Sequence, residues 1–154
     1  LTFLIVGDGP ERENLQRLVQ ELGIQKQVIF TGMVSPTEVQ QYYQLADIFV
    51  CASVSETQGL TYIEAAANGL PLLCRMDNAL RGIVLDGVNG YQYISREDFL
   101  VKLEDIIRDS KWRMQAGKNS EEIAETFDTE HFADRIENIY MLECNQEESC
   151  QMAQ

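Results

Sequence analysis

Apolar positions along the chain fall into two rhythms, continuous short runs and helical stripes. Thr2-Phe-Leu-Ile-Val6 is a continuous apolar run, the pattern of a strand buried on both faces. Gly7-Asp-Gly-Pro10 follows as a turn, with Pro10 suited to the first helical position. Leu15, Leu18, Val19 and Leu22 then recur at helical spacing, and Gly23 ends that helix. Val28-Ile-Phe30 predicts a second strand, closing at Thr31-Gly32. Ser35-Pro-Thr-Glu38 predicts a capping box, and Val39, Tyr42, Tyr43 and Ala46 form the inner stripe of the helix it opens. Asp47-Ile-Phe-Val-Cys51 predicts a third strand. A helix of about ten residues, rich in Ala, starts near Gly59 and ends at Asn68-Gly69. Pro71-Leu-Leu-Cys74 opens the next strand, Gly82-Ile-Val-Leu85 reads as one helical turn, and Tyr91-Gln-Tyr93 as the last strand after turns at Gly87 and Gly90. The remainder is helical. Ser95 with Asp98 predicts an N-cap ahead of the stripe Phe99, Leu103, Ile106 and Ile107. A second terminal helix runs from about Lys111, and a third starts near Asp128-Thr129.

Strands alternating with helices imply an α/β fold, an open parallel sheet of about five strands with helices on both faces. The stretch from Ser53 to Pro71 is its centre. Its loop lies at the carboxyl end of a strand, where open parallel sheets bind ligands. The first turn of the following helix, Gly59 to Thr61, offers N–H groups with partial positive charge, and Gly59 admits close approach. A phosphate or diphosphate suits that position. Glu56 stands before the helix and Glu64 one turn in, on the same face as Leu60. Carboxylates beside an anion site suit sugar hydroxyls, whose hydrogen bonds they accept. The expected ligand carries both phosphate and hydroxyl-rich rings, as a nucleotide-sugar does.

Glu56 and Glu64 have seven residues between them. With Ser53, Gly59, Leu60, Ala65, Gly69 and Pro71 they resemble the signature of the retaining glycosyltransferases of glycosyltransferase family 4. Ile5-Val-Gly-Asp-Gly-Pro-Glu11, Val28-Ile-Phe-Thr-Gly32, Tyr42-Tyr43 with Ala46-Asp47, and Asp86-Gly-Val-Asn-Gly90 resemble the flanking motifs of that family in the same order. The resemblance covers residues 1–95 closely and the helical remainder loosely. It implies a GT-B fold, two Rossmann-like lobes across a cleft, of which this chain is the C-terminal, donor-binding lobe. Ser-Glu-Thr-Gln-Gly-Leu, in place of the more usual Gly-Phe after the first glutamate, resembles the bacterial members that glucosylate diacylglycerol and related glycolipids.

The resemblance implies specific roles. Glu56 handles the donor sugar and is the catalytic candidate. Glu64 holds the ribose hydroxyls. Thr57, Gln58, Gly59, Leu60 and Thr61 bind the donor, with N–H groups on the β-phosphate. Gly7 and Gly9 lie near base and ribose, and backbone groups of Met33 and Val34 contact the base. Transfer is front-face with retention, from UDP-glucose, with no cofactor and no bound metal. The family's first strand of this lobe, with an Arg and a Lys that hold the diphosphate, would precede Leu1, so the chain reads as a piece of a longer protein. Without that strand, Thr2–Val6 is expected to pair directly with Asp47–Cys51 unless another chain fills the gap. The acceptor lobe of the parent chain is a further expected partner. The nucleotide-sugar-binding lobe is expected over residues 1–143, and a polar, unpatterned, disordered tail over 144–154.

Composition narrows the partners. The formal net charge of the 154 residues is −13, which excludes the basic footprint of a nucleic-acid binder and a polybasic membrane surface. Residues 1–96 hold 6 basic and 10 acidic side chains, and residues 97–154 hold 6 and 15, so the acidic excess lies on solvated helical faces. Cys51, Cys74, Cys144 and Cys150 form no CxxC pair, and the first two sit in apolar strands as small hydrophobes. This suits a cytoplasmic location, with the parent at the inner membrane surface through a lipid acceptor. His131 is the one histidine and has no second ligand or nucleophile near it in sequence. Arg75 and Arg81 are candidates to neutralise a donor phosphate, and a solvent-exposed role is the competing reading. A non-catalytic Rossmann-like nucleotide-binding module shares the architecture, but it has no need of two carboxylates at an anion edge. A phosphorylase of this fold needs a cofactor lysine, and no lysine lies between Lys26 and Lys102.

Overall fold

The computed structural model describes residues 1–54 and 59–128. Among them strands and helices alternate as β1 (Phe3–Val6), α1 (Arg12–Glu21), β2 (Val28–Gly32), α2 (Val39–Leu45), β3 (Phe49–Cys51), α3 (Leu60–Ala67), β4 (Leu72–Arg75), β5 (Gly90–Tyr93), α4 (Arg96–Arg108) and α5 (Ser110–Glu125). Every strand pair is parallel. The α/β class and the order of elements agree with the hydrophobic pattern. The third terminal helix, His131, Cys144, Cys150 and the tail lie outside the described residues.

The strands form two sheets rather than one, β1-β2 and β3-β4-β5, and they belong to two compact units, Leu1–Leu45 and Ala46 onward. The expected pairing of Thr2–Val6 with Asp47–Cys51 is not made. Among the described residues β1 pairs only with β2.

In the first unit Phe3 faces Val28 and Ile5 faces Phe30 in register. An irregularity after Ile5 brings Val6 opposite Gly32. Gly7 N–H donates to Gly32 O at 3.1 Å and to Thr31 Oγ1 at 3.3 Å. The continuous run of β1 predicts burial on both faces, yet Phe3 and Val6 are exposed and only Leu4 and Ile5 are half-buried. Leu15 and Leu18 of α1 and its C-cap Leu22 are exposed as well. A two-stranded ribbon has too few neighbours to cover both faces of a strand. The capping box is not formed as predicted. Ser35 Oγ accepts from Thr37 N–H at 3.3 Å, and regular helix begins only at Val39. Tyr42 and Tyr43 are half-buried.

The second unit holds the core. Its central strand β4 buries Leu72, Leu73 and Cys74 completely, between β3, with Cys51 opposite Cys74, and β5, with Leu73 opposite Tyr91. Leu73, Tyr93 and Ile106 are buried at the centre, packed by Val50, Phe99, Leu103 and Trp112. Ile107, expected in the inner stripe of α4, is instead exposed, because it falls beside Ile106 on the outer side of a 3.6-residue turn. Ser95 caps α4 as predicted, its Oγ accepting from Asp98 N–H at 3.1 Å. Asp109 caps α5 through Trp112 N–H at 2.9 Å.

Helix α3 is seated on both sides. Tyr62 is fully buried, meets Phe49 edge-on at 5.6 Å, and donates its hydroxyl to Cys51 Sγ at 3.1 Å. Gly117 of α5 lies against the carbonyl of Gly69, in the turn that ends α3, and Ser120 Oγ donates to Leu70 O at 2.8 Å. Cys51 and Cys74 are free thiols. Burial pushes the Cys74 thiol up, so it stays protonated.

Candidate functional site

In the second unit, residues 52–58 connect the carboxyl end of β3 to Gly59, the N-cap of α3. Gly59 is buried and left-handed, with φ 64° and ψ 29°. A Cβ there would stand 3.2 Å from Ile83 Cδ1. Conformation and space therefore both call for glycine. The helical ladder begins with Tyr62 N–H and Ile63 N–H, which donate to Gly59 O at 3.1 and 3.2 Å. The N-cap residue is a glycine and has no side chain with which to cap the helix start, where first-turn N–H groups carry the positive end of the dipole.

The faces of α3 divide sharply. Tyr62, Ala65 and Ala66 are buried, whereas Leu60, Thr61 and Glu64 are exposed. Leu60 and Glu64 are one turn apart on the outer face. Thus the structure places Gly59, Leu60, Thr61 and Glu64 at one helix start, as the sequence predicts. Glu56, Thr57 and Gln58 lie outside the described residues. β3 and β4 run parallel, so Arg75 at the end of β4 emerges at the same sheet edge as the chain entering α3. Arg75 and Arg81 are exposed, and neither forms a salt bridge among the described residues.

The stretch 76–89 packs under this edge. The predicted turn at Gly82–Leu85 falls earlier, at Asn78–Leu80, because Asp77 Oδ1 accepts from Ala79 N–H at 2.9 Å and caps it there. Leu80, Ile83 and Val84 are buried. Asn89 is buried too and holds the rest of the loop through its side chain. Trp112 Nε1 and Asn119 Nδ2 donate to Gly87 O and Val88 O, at 3.3 and 2.8 Å, and fasten its outer rim to α5.

In the first unit, Gly7 and Gly9 border a depression of about 260 Å³ at the end of β1, lined also by Asp8, Arg12 and Phe30. Asp8 Oδ1 accepts from Gly9 N–H at 2.8 Å, and Asp8 Oδ2 pairs with Arg12 Nη1 at 2.9 Å. The Arg12 guanidinium lies on Gly32, where a Cβ would stand 2.8 Å from Nη1. Gly32 leads into Met33, which is exposed, and Val34, which is half-buried. So Gly7, Gly9, Met33 and Val34 gather at one end of the β1-β2 pair. Arg12 and Asn89 were not among the residues singled out by sequence. Arg12 has a faint signal, an acid four residues before it; Asn89 has only its place in the Asp86–Gly90 motif, which names no role for it. Among the described residues, no group of three or more His, Cys, Asp and Glu could hold a metal ion.

Comparisons with known proteins bear on the family and the fold. Residues 1–123 match the family described as glycosyl transferases group 1. The chain is 36% identical over 139 residues to an alpha-monoglucosyldiacylglycerol synthase of Acholeplasma laidlawii, covering 90% of this chain and 35% of that protein. It is 37% identical over 140 residues to the Streptococcus pneumoniae protein of the same name, covering 90% and 31%. The chain thus spans about a third of the length of these relatives. Among solved structures, the pneumococcal O-GlcNAc transferase GtfA, in complex with UDP and GlcNAc, superposes with a TM-score of 0.78 at 26% identity, covering 90% of this chain and 29% of that one.

Proposed function

This chain belongs to the group 1 glycosyl transferases, and we propose that it is the donor-binding part of an enzyme that moves glucose from UDP-glucose to a membrane glycolipid acceptor. The observation that carries this reading is the start of α3. A left-handed glycine at the N-cap opens a helix whose outer face presents Leu60, Thr61 and Glu64. Two relatives more than a third identical are named as glucosyldiacylglycerol synthases, which supports the donor sugar and the lipid acceptor.

In this reading the N–H groups at Gly59 and Leu60, with Thr61 in the same turn, receive the β-phosphate. As the glycosidic bond breaks, negative charge grows on the leaving diphosphate, and fixed dipoles stabilise it without reorganising. Arg75 and Arg81 supply cationic charge from the neighbouring strand end and loop, and the reaction needs no bound metal. Glu64 accepts hydrogen bonds from the ribose hydroxyls, and Glu56 and its neighbours Thr57 and Gln58 engage the sugar. Gly7, Gly9, Met33 and Val34 meet the base. The acceptor hydroxyl attacks from the face the diphosphate leaves, so the anomeric configuration is retained. That hydroxyl is held by a second lobe of the parent protein. A lipid acceptor places the reaction at a membrane surface on the cytoplasmic side; no helix among the described residues is long and apolar enough to cross a membrane.

The test is to incubate the whole protein with UDP-glucose and diacylglycerol and to analyse the lipid for α-linked glucose. Tight UDP binding with no transfer to any lipid would favour a non-catalytic nucleotide-binding module. Residues 1–154 alone are expected to transfer no sugar and to bind UDP in the high micromolar range or more weakly. An exposed helix terminus contributes only about 0.3–1 kcal/mol to anion binding, and closure against a second lobe is what excludes water. Transfer by residues 1–154 at the rate of the whole protein would overturn the need for that second lobe.

A further inference from the structure

We infer that Asn89 is a positioning residue for the diphosphate subsite at the start of α3, an inference that rests on the donor-binding reading above. Asn89 is fully buried. Its Oδ1 accepts from Leu85 N–H at 2.8 Å, and its Nδ2 donates to Ile83 O at 2.9 Å. One amide side chain thus satisfies a backbone acceptor and a backbone donor two residues apart, and closes the 83–89 loop on itself. The Asn89 backbone is anchored in turn. Its carbonyl accepts from Leu72 N–H at 3.0 Å, at the start of the central strand, and from Ser120 Oγ at 3.4 Å.

What the loop supports is Gly59. Ile83 is 3% exposed, and its Cδ1 is the nearest atom to the place a Gly59 side chain would occupy, with Tyr62 Cδ2 and Leu80 Cδ2 next. Asn89 fixes the backbone of Ile83, Ile83 forms the seat of Gly59, and Gly59 sets the direction of the first N–H groups of α3. Hydrogen bonds to an anion weaken steeply as donors turn away from it. A loop that sags beneath Gly59 would therefore cost phosphate binding before it cost the base or ribose contacts. Asn89 touches no part of the donor in this scheme and acts through Ile83.

The ratio of UDP to UMP affinity isolates the β-phosphate, and calorimetry on the whole protein measures it. Asn89→Ala leaves the buried Ile83 carbonyl and the part-buried Leu85 N–H without this partner, and should lower the ratio about tenfold. Ile83→Val removes the atom that meets Gly59 while keeping both Asn89 hydrogen bonds, and should lower the ratio about threefold as a mild core truncation. UMP affinity should stay within about twofold of wild type in both, since loop support bears on the phosphate and not on the nucleoside. A role in stability alone predicts equal loss for UDP and UMP, or loss of neither, and either result in a folded variant overturns the inference. Should Asn89→Ala not fold, Ile83→Val decides. A wild-type protein that binds UDP and UMP equally would overturn the anion subsite itself, a failure of the underlying reading that the variants do not share.

Discussion

Gly117→Ala is expected to destabilise the second unit by about 3 kcal/mol or more, at or beyond the upper end of overpacking costs. The added Cβ would stand well inside contact distance of Gly69 O and 3.3 Å from Gly69 C. Both are backbone atoms, so no side chain can rotate out of the way. The Gly69 backbone has little freedom of its own, since it closes α3 at φ 72° with its N–H on Ala66 O at 2.9 Å. Relief requires α5 to move away from α3. That motion would stretch the Ser120–Leu70 hydrogen bond and open the apolar contact between the two helices. Against a typical total stability of about 5–15 kcal/mol, the loss is large. Urea titration followed by circular dichroism measures it. Gly9→Ala is the control, because a Cβ there meets nothing within 4 Å. Equal midpoints for the two variants would show that α5 shifts freely on α3.

Glu64→Ala should weaken UDP binding by the whole protein by about 1–3 kcal/mol, the cost of leaving ribose hydroxyls without their acceptor. In affinity this is about 5- to 150-fold. Stability should hardly change, since Glu64 is exposed on the outer face of α3. Glu64→Gln keeps one carbonyl acceptor and should fall between. Calorimetric titration with UDP gives the comparison, and equal affinity for wild type and Glu64→Ala would remove Glu64 from the ribose site.

The parts of the fold that were legible in sequence are those fixed by local chemistry. Pro71-Leu-Leu-Cys74 reads as a buried strand because three adjacent apolar residues need cover on both faces, and β4 sits in mid-sheet with that cover. Gly59 and Gly69 bound α3 because only glycine takes the required left-handed turns cheaply. Ser95 caps α4 because its hydroxyl has an orphan N–H in reach. Other features depend on partners far along the chain. The apolar run in β1 gives no count of the strands beside it, so its exposure was not visible. A glycine in mid-helix reads as a weak helix former, and only the Gly69 carbonyl gives Gly117 its reason. Asn89 looks like one more turn residue until Ile83 and Leu85 fold over it. The helix start that gathers Gly59, Leu60, Thr61 and Glu64 was legible, because a glycine before an Ala-rich run is a local pattern. The floor beneath it was not, because it comes from a loop some twenty residues on.

The two-stranded β1-β2 sheet has a colloidal consequence. Strand edges without a ladder partner are templates for a neighbouring molecule's backbone, and apolar side chains beside such an edge favour that encounter. Among the described residues β1 and β2 pair only with each other, and Phe3, Val6 and Ile29 stand exposed along the pair. The high negative charge of the chain, concentrated in residues 97–154, keeps molecules apart at low ionic strength but is screened over about 8 Å in physiological salt. Residues 1–154 handled by themselves are therefore at their most soluble in dilute buffer, and salt that would protect many proteins would here bring open edges together.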